Sequence, residues 1–197
     1  MPKGIPLTEE VHQRRRKEIF DASVHLFLQK GFNETSMREI AEAAGIGKST
    51  LYDYYPSKEQ ILVSYFENEI YKITRSAQQI IQQDSTITEK LSRIMQMHLG
   101  FLIENKQTFL KISLEAQRLS LESQNQIQAA RHAYQDKLCA LIEEGTRLGE
   151  FRGFNPLFAA LSIFSLLSIA VYTTRPTGTP EEMLDEALGI FYRGIQA

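Results

Sequence analysis

Apolar side chains recur along this chain every three to four positions and never alternate for more than a few residues, which is the spacing of helices rather than strands. The pattern predicts a first helix over 10–30, with Ile19, Ala22, Ser23, Leu26 and Phe27 on the inward stripe and Phe20 and Val24 widening it. Gly31 ends it, as a glycine after a lysine commonly does at a helix C-terminus. Ser36 and Glu39 form a capping box that opens a short helix reaching 44. Gly45 then supplies a turn, Ile46 packs inward, and a third short helix covers 48–54. After Pro56 a second box, Ser57 with Gln60, opens a long helix over 58–82. Further helices are expected near 86–104, 106–120, 123–149, 156–174 and 180–195; the loop 175–180, with two prolines and a glycine, is the clearest break. The fold class is therefore all-α.

The most apolar run, 157–172, is shorter than the roughly 20 residues a membrane span needs, and serines recur in it at 162, 165 and 168. It reads as a helix buried in protein, and no membrane partner is expected.

Composition narrows the function. The 197 residues allow one large domain, or a small one with a medium one. With 22 Lys+Arg against 24 Asp+Glu, the net charge of −2 does not advertise nucleic-acid binding, so any DNA contact must come from a local patch. The first 60 residues hold nine basic and nine acidic side chains, and four of the basic ones sit together at Arg14, Arg15, Arg16 and Lys17. The single cysteine, Cys139, rules out an intrachain disulfide and fits a reducing compartment. The polar N-terminus has no signal-peptide stretch, so the expected location is the cytoplasm. His12, His25, His98 and His132 lack metal-ligand spacing, and no nucleophile elbow, P-loop or dinucleotide loop is present. No enzyme activity, metal or cofactor is expected.

The segment SMREIAEAAGIGKSTLYDYY, 36–55, has the parts of a helix-turn-helix. Ile40, Ala41, Ala44, Ile46 and Leu51 form its interior, and the two small alanines let the helices cross closely. Lys48, Ser49, Thr50, Tyr52 and Tyr54 present donors, hydroxyls and aromatics on the second helix, suited to base edges, thymine methyls and phosphates. Asp53 is the odd member, since a carboxylate beside phosphates is unfavourable unless it pairs with a lysine or accepts from a cytosine amine.

From residue 16 to 62 the chain resembles the N-terminal domain of the tetracycline-repressor (TetR) family along its whole length. The markers are Lys30-Gly31-Phe32, Thr35-Ser36-Met37-Arg38-Glu39-Ile40-Ala41, Ala44-Gly45-Ile46, Ser49-Thr50-Leu51-Tyr52 and Tyr55-Pro56-Ser57-Lys58-Glu59. The resemblance implies a three-helix DNA-binding domain over 1–57 and a helical ligand-binding and dimerisation domain over 58–197, about nine helices in all. It implies that Ser36 and Arg38 meet phosphates or the groove wall, that Lys48, Ser49 and Thr50 face bases or phosphates, and that Tyr52 and Tyr54 hold the backbone. Lys58 would contact a phosphate, and Arg14 to Lys17 would track the backbone or enter the minor groove, unless they form only a solvated helix start. Tyr55 reads as a core aromatic.

The implied partners are double-stranded DNA, a second copy of the chain and a small-molecule effector. A two-fold protein suits two half-sites, and the last two helices suit a four-helix dimer interface: Leu157, Leu161, Phe164 and Ile169 on one, Met183, Leu184, Leu188 and Phe191 on the other. The implied effector pocket has Met95, His98, Phe101, Phe109, Ile112 and Tyr134 among its candidates, a lining suited to a lipophilic or flat ligand. Plain core packing is the competing reading for each. The function expected is a ligand-responsive repressor of a palindromic operator; the alternative is a DNA-binding architectural or regulatory protein without an effector.

Overall fold

A computed structural model describes residues 9–195; the polar N-terminus read above, Lys3 included, lies outside them. The regular elements among the described residues are nine helices: α1 (Glu9–Lys30), α2 (Met37–Ala43), α3 (Lys48–Tyr54), α4 (Lys58–Ile81), α5 (Ile87–Glu104), α6 (Lys106–Ala116), α7 (Leu121–Arg147), α8 (Pro156–Tyr172) and α9 (Pro180–Ile195). They gather into two compact units. The first takes the described chain through Phe66 and again over Lys111–Gln124; the second takes Glu67–Leu110 and the chain from Asn125 onward. Helices α4, α6 and α7 each supply residues to both.

The first unit is built on caps. Ser36 accepts from the Glu39 N–H, and the Glu39 carboxylate accepts from the Ser36 N–H at 2.9 Å, closing the expected box. Lys30 and Ser36 hold the Glu39 carboxyl down to about 2. At the other end of α2, Gly45 adopts φ +64°, its N–H bonds Glu42 O at 3.1 Å, and the Ile46 N–H bonds Ala41 O at 3.0 Å. That paired closure needs a left-handed residue, which glycine supplies without a Cβ penalty. Ile19, Ile40, Leu51, Ile61 and Leu62 fill the interior with no exposure above 0%.

Residues 111–124 complete this unit. The Glu59 carboxylate, in the first turn of α4, accepts from the Ser120 hydroxyl at 2.7 Å and the Ser123 hydroxyl at 3.0 Å. Those bonds, the Ser120 hydroxyl's above all, hold its carboxyl below the usual carboxylate range. Helix α6 ends at Ala116 rather than near 120, because the next turn closes early through the Arg118 N–H to Glu115 O and buries Leu119.

In the second unit α5 packs on α8 and α9 around Leu91, Ile94, Met95, Leu138, Ile142, Ile163 and Leu167. Asn155 caps α8, accepting from the Phe158 N–H at 3.1 Å, with Pro156 in the first turn. Near the end of α7, Gly145 lies so close to the Phe151 ring that a Cβ there would stand 2.4 Å from it. No described helix is long and apolar enough to cross a membrane.

Candidate nucleic-acid interface and effector cavity

In the first unit, α2, the Gly45 turn and α3 form the helix-turn-helix. Ser36, Arg38, Lys48, Ser49, Thr50 and Tyr52 are all exposed. Arg38 donates to Glu42 at 2.8 Å, a pair that raises the guanidinium pKa and that a phosphate oxygen can replace. The Lys48 ammonium lies 5.9 Å from the Tyr52 ring centroid. This is an outward array of cation, hydroxyls and aromatic on one short helix, equipped to donate to base acceptors and phosphates.

Two residues expected at this surface are engaged elsewhere. Tyr54 is 8% exposed and stacks on His12 at 4.6 Å. It follows Leu51 by three positions, so the helical period puts both on the buried side, while Tyr52 points out at 45% exposure. Lys58 donates to the carbonyls of Phe32, Asn33 and Thr35 at 2.9, 3.0 and 3.1 Å. Its three N–H donors are matched by three acceptors, so it knits the α1–α2 connection.

The basic cluster forms exposed ion pairs along α1. Arg14 and Arg15 pair with Glu18 at 3.9 and 3.1 Å, and Lys17 pairs with Asp21 at 2.5 Å. Arg16 lies 4.8 Å from the centroid of Tyr55, which is buried as expected.

The second unit encloses a cavity of about 290 Å³. Four of the expected residues, His98, Phe101, Phe109 and Tyr134, line it. Met95, at 0% exposure, belongs to the packed core, and Ile112 is buried in the first unit. Apolar periodicity alone does not separate a cavity wall from a core position. Arg131, Gln135, Phe164 and Tyr172 were not among the expected residues. Arg131 precedes Tyr134 by three positions and Gln135 by four, so α7 offers all three along one face.

His98 Nδ1 and the Tyr134 hydroxyl are 3.1 Å apart, and Phe164 stands edge-on to both rings at centroid distances of 5.3 and 5.5 Å. Burial holds the imidazole pKa down to about 4, so the ring is neutral at physiological pH, and burial pushes the Tyr134 hydroxyl up. No carboxylate lines the cavity; Arg131 is its one ionised group among the described residues.

Elsewhere on the second unit, α8 and α9 expose large apolar side chains: Leu157, Phe158 at 71%, Leu161, Ile169 and Ile190. The hydroxyls of Ser162 and Ser165 turn back onto the carbonyls of Phe158 and Leu161, so the serines add little polarity to this face.

Residues 19–65 match the family described as bacterial regulatory proteins, tetR family, and residues 84–195 match the tetracyclin repressor-like C-terminal domain. The chain is 27% identical over 164 residues to the fatty acid metabolism regulator protein of Bacillus subtilis, covering 82% of this chain and 84% of that protein. It is 27% identical over 148 residues to the transcriptional repressor KstR2 of Mycolicibacterium smegmatis, covering 75% of this chain and 72% of that one. Among solved structures, the regulator FadR of Bacillus subtilis in complex with stearoyl-CoA superposes with a TM-score of 0.78 at 24% identity, covering 91% of this chain and 99% of that chain.

Proposed function

This chain belongs to the tetR family of bacterial regulatory proteins and is a transcriptional regulator, and we propose that it acts as a homodimeric repressor released from a two-fold operator by a lipophilic effector. The reading rests on one observation above the others. The second unit holds a cavity with aromatic and aliphatic walls and a small set of convergent polar groups, the usual make-up of a small-molecule site.

The chemistry of the relatives agrees with that lining. One regulates fatty acid metabolism, and a structural neighbour is solved with stearoyl-CoA, so a ligand with an acyl or similarly apolar body suits this chain too. The exposed apolar face of α8 and α9 suits a second copy of the chain, since patches of that kind are rare on monomers. Two copies would present two reading helices, at about 34–36 Å for successive major grooves on one DNA face.

Exposed Lys48, Ser49 and Thr50 would then meet the base edges, Tyr52, Ser36 and Arg38 the phosphates and groove walls. The effector would have to bind the DNA-incompetent state better; a 100-fold preference is roughly 2.7 kcal/mol of coupling, and operator DNA would weaken the effector equally.

The test is fluorescence anisotropy of the protein on the DNA upstream of its own gene, with and without stearoyl-CoA and shorter acyl thioesters. Salt-sensitive, sequence-specific binding that at least one of them releases supports the reading. Binding unaffected by all of them favours a regulator without a small-molecule effector.

A further inference from the structure

We propose that the cavity of the second unit selects an effector with a compact aromatic body and one uncharged hydroxyl, which docks on the buried pair His98 and Tyr134. This rests on the reading that the cavity is the effector site.

Three observations carry it. First, the pair has hydrogen-bonding capacity left over, and that capacity faces the cavity. His98 Nδ1 and the Tyr134 hydroxyl satisfy each other at 3.1 Å. The other ring nitrogen, Nε2, meets no group of the protein among the described residues. The one side-chain nitrogen or oxygen there that is sealed off without a partner is Ser85 Oγ, so Nε2 opens onto the cavity that His98 lines. A polar atom so placed is costly until a ligand group bonds it.

Second, the capacity left over matches a hydroxyl. Burial holds the imidazole pKa to about 4 and pushes the Tyr134 hydroxyl up, so both rings are neutral at physiological pH. A neutral imidazole has one N–H and the phenol one O–H. If the Tyr134 hydroxyl donates to Nδ1, the Nε2 N–H is the free donor and the Tyr134 oxygen keeps a lone pair. If Nδ1 donates instead, Nε2 accepts and the Tyr134 O–H is free. In either tautomer one donor and one acceptor remain, and a ligand hydroxyl, itself both, satisfies the two together. A methyl group satisfies neither, and a carboxylate finds a neutral donor where its charge needs more. Arg131 also lines the cavity but is engaged within the protein, and Ser168 spends its hydroxyl on the Ser165 carbonyl.

Third, the walls are aromatic and the space is small. Phe164 stands edge-on to the His98 and Tyr134 rings, and Phe101 and Phe109 extend the wall, faces on which a flat ring packs well. At the roughly 30 Å³ that a water-sized group occupies in a liquid, 290 Å³ holds about ten non-hydrogen atoms. That is one ring with a short chain, or two fused rings. His98 and Tyr134 are buried while Tyr172 on the same lining is exposed, so the hydroxyl goes in first.

The experiment is isothermal titration calorimetry at pH 7, the full chain titrated into dilute ligand. The ligands are naphthol and para-propylphenol, their methyl isosteres methylnaphthalene and para-propyltoluene, and their acids naphthoate and para-propylbenzoate. The same six are then applied to His98→Phe and Tyr134→Phe. At least one phenol is expected to bind about 5–50-fold more tightly than its methyl isostere and its acid. His98→Phe, which keeps a ring and removes both nitrogens, should abolish the difference; Tyr134→Phe, which leaves Nε2, should keep part of it.

The wild-type comparison of hydroxyl with methyl stands even if a variant does not fold. Methyl isosteres or acids that bind as tightly as the phenols overturn the proposal, as does a folded His98→Phe protein that keeps the preference. If no phenol binds while an acyl thioester still releases the protein from DNA, hydroxyl selection fails and the effector-responsive repressor stands. If neither occurs, both fail.

Discussion

The Lys58 ammonium stands 4.6 Å from the centroid of the Phe32 ring while serving three carbonyls of the α1–α2 connection. A lysine at a helix N-terminus opposes the helix dipole, and here the carbonyls supply what the dipole withholds. Lys58→Ala is therefore expected to destabilise the protein by about 1–3 kcal/mol, since three carbonyls, two of them part-buried, lose a charged donor. Urea unfolding gives the loss, and DNA titrations at several salt concentrations give the slope. A slope flattened by one phosphate's worth, with stability unchanged, would return Lys58 to the DNA surface.

Tyr52 and Tyr54 should respond oppositely to truncation. Tyr54→Ala removes a ring packed on His12 and is expected to cost about 3 kcal/mol or more of stability. Tyr52→Ala should leave the melting temperature nearly unchanged and weaken DNA binding. Thermal unfolding beside anisotropy on one DNA separates the two.

Lys48→Ala should relax base choice at one or two operator positions, at about 1–3 kcal/mol for each lost base contact. Selection from randomised DNA reads this directly; an unchanged site profile would make Lys48 a backbone contact or none.

The second unit should be acid-sensitive through His98. Its folded pKa, about 4, lies below the ordinary 6.5, so the unfolded chain takes up the proton more readily. The contribution is complete above about pH 6.5 and is lost as pH falls toward 4, on the order of 3 kcal/mol over that interval. Denaturant unfolding followed from pH 7.5 to 4 in wild type and in His98→Phe should show a shallower decline in the variant. Parallel curves would remove His98 as the source.

Phe158, at 71% exposure on α8, is a sharp probe of self-association. Phe158→Glu is expected to shift the protein toward monomer in sedimentation velocity and to weaken operator binding more than tenfold, while leaving helical content unchanged. A dimer that persists in this variant would move the interface elsewhere.

The helices were legible in the sequence because their signals are local. The Ser36–Glu39 box, the Gly45 turn and the proline-rich break after α8 each act within a few residues, and the structure places them where the pattern does. The cavity was legible only in part. Arg131 is a charged side chain, of a type that ordinarily faces solvent, and only the packing of other helices turns it inward. Phe164 lay in an apolar helix and read as dimer interface, and the partners of Lys58 lie 23 to 26 positions earlier, beyond any local pattern. Met95 and Ile112 carry the same apolar signal as Phe101 and Phe109, and what separates core from cavity wall is an empty volume that no residue type encodes.

The Glu59 carboxylate's bonds to Ser120 and Ser123 have a consequence for modularity. The first unit is discontinuous in the chain, closed by a segment that arrives some 45 residues after Phe66. A recombination event that exchanged only the N-terminal portion between two regulators would separate Glu59 from the serine hydroxyls that donate to it and leave Ile112 and Leu119 facing an unmatched surface. Chimeras that graft a new operator specificity onto this effector cavity should therefore carry 111–124 together with the N-terminal residues, and shuffling at a single junction should be selected against.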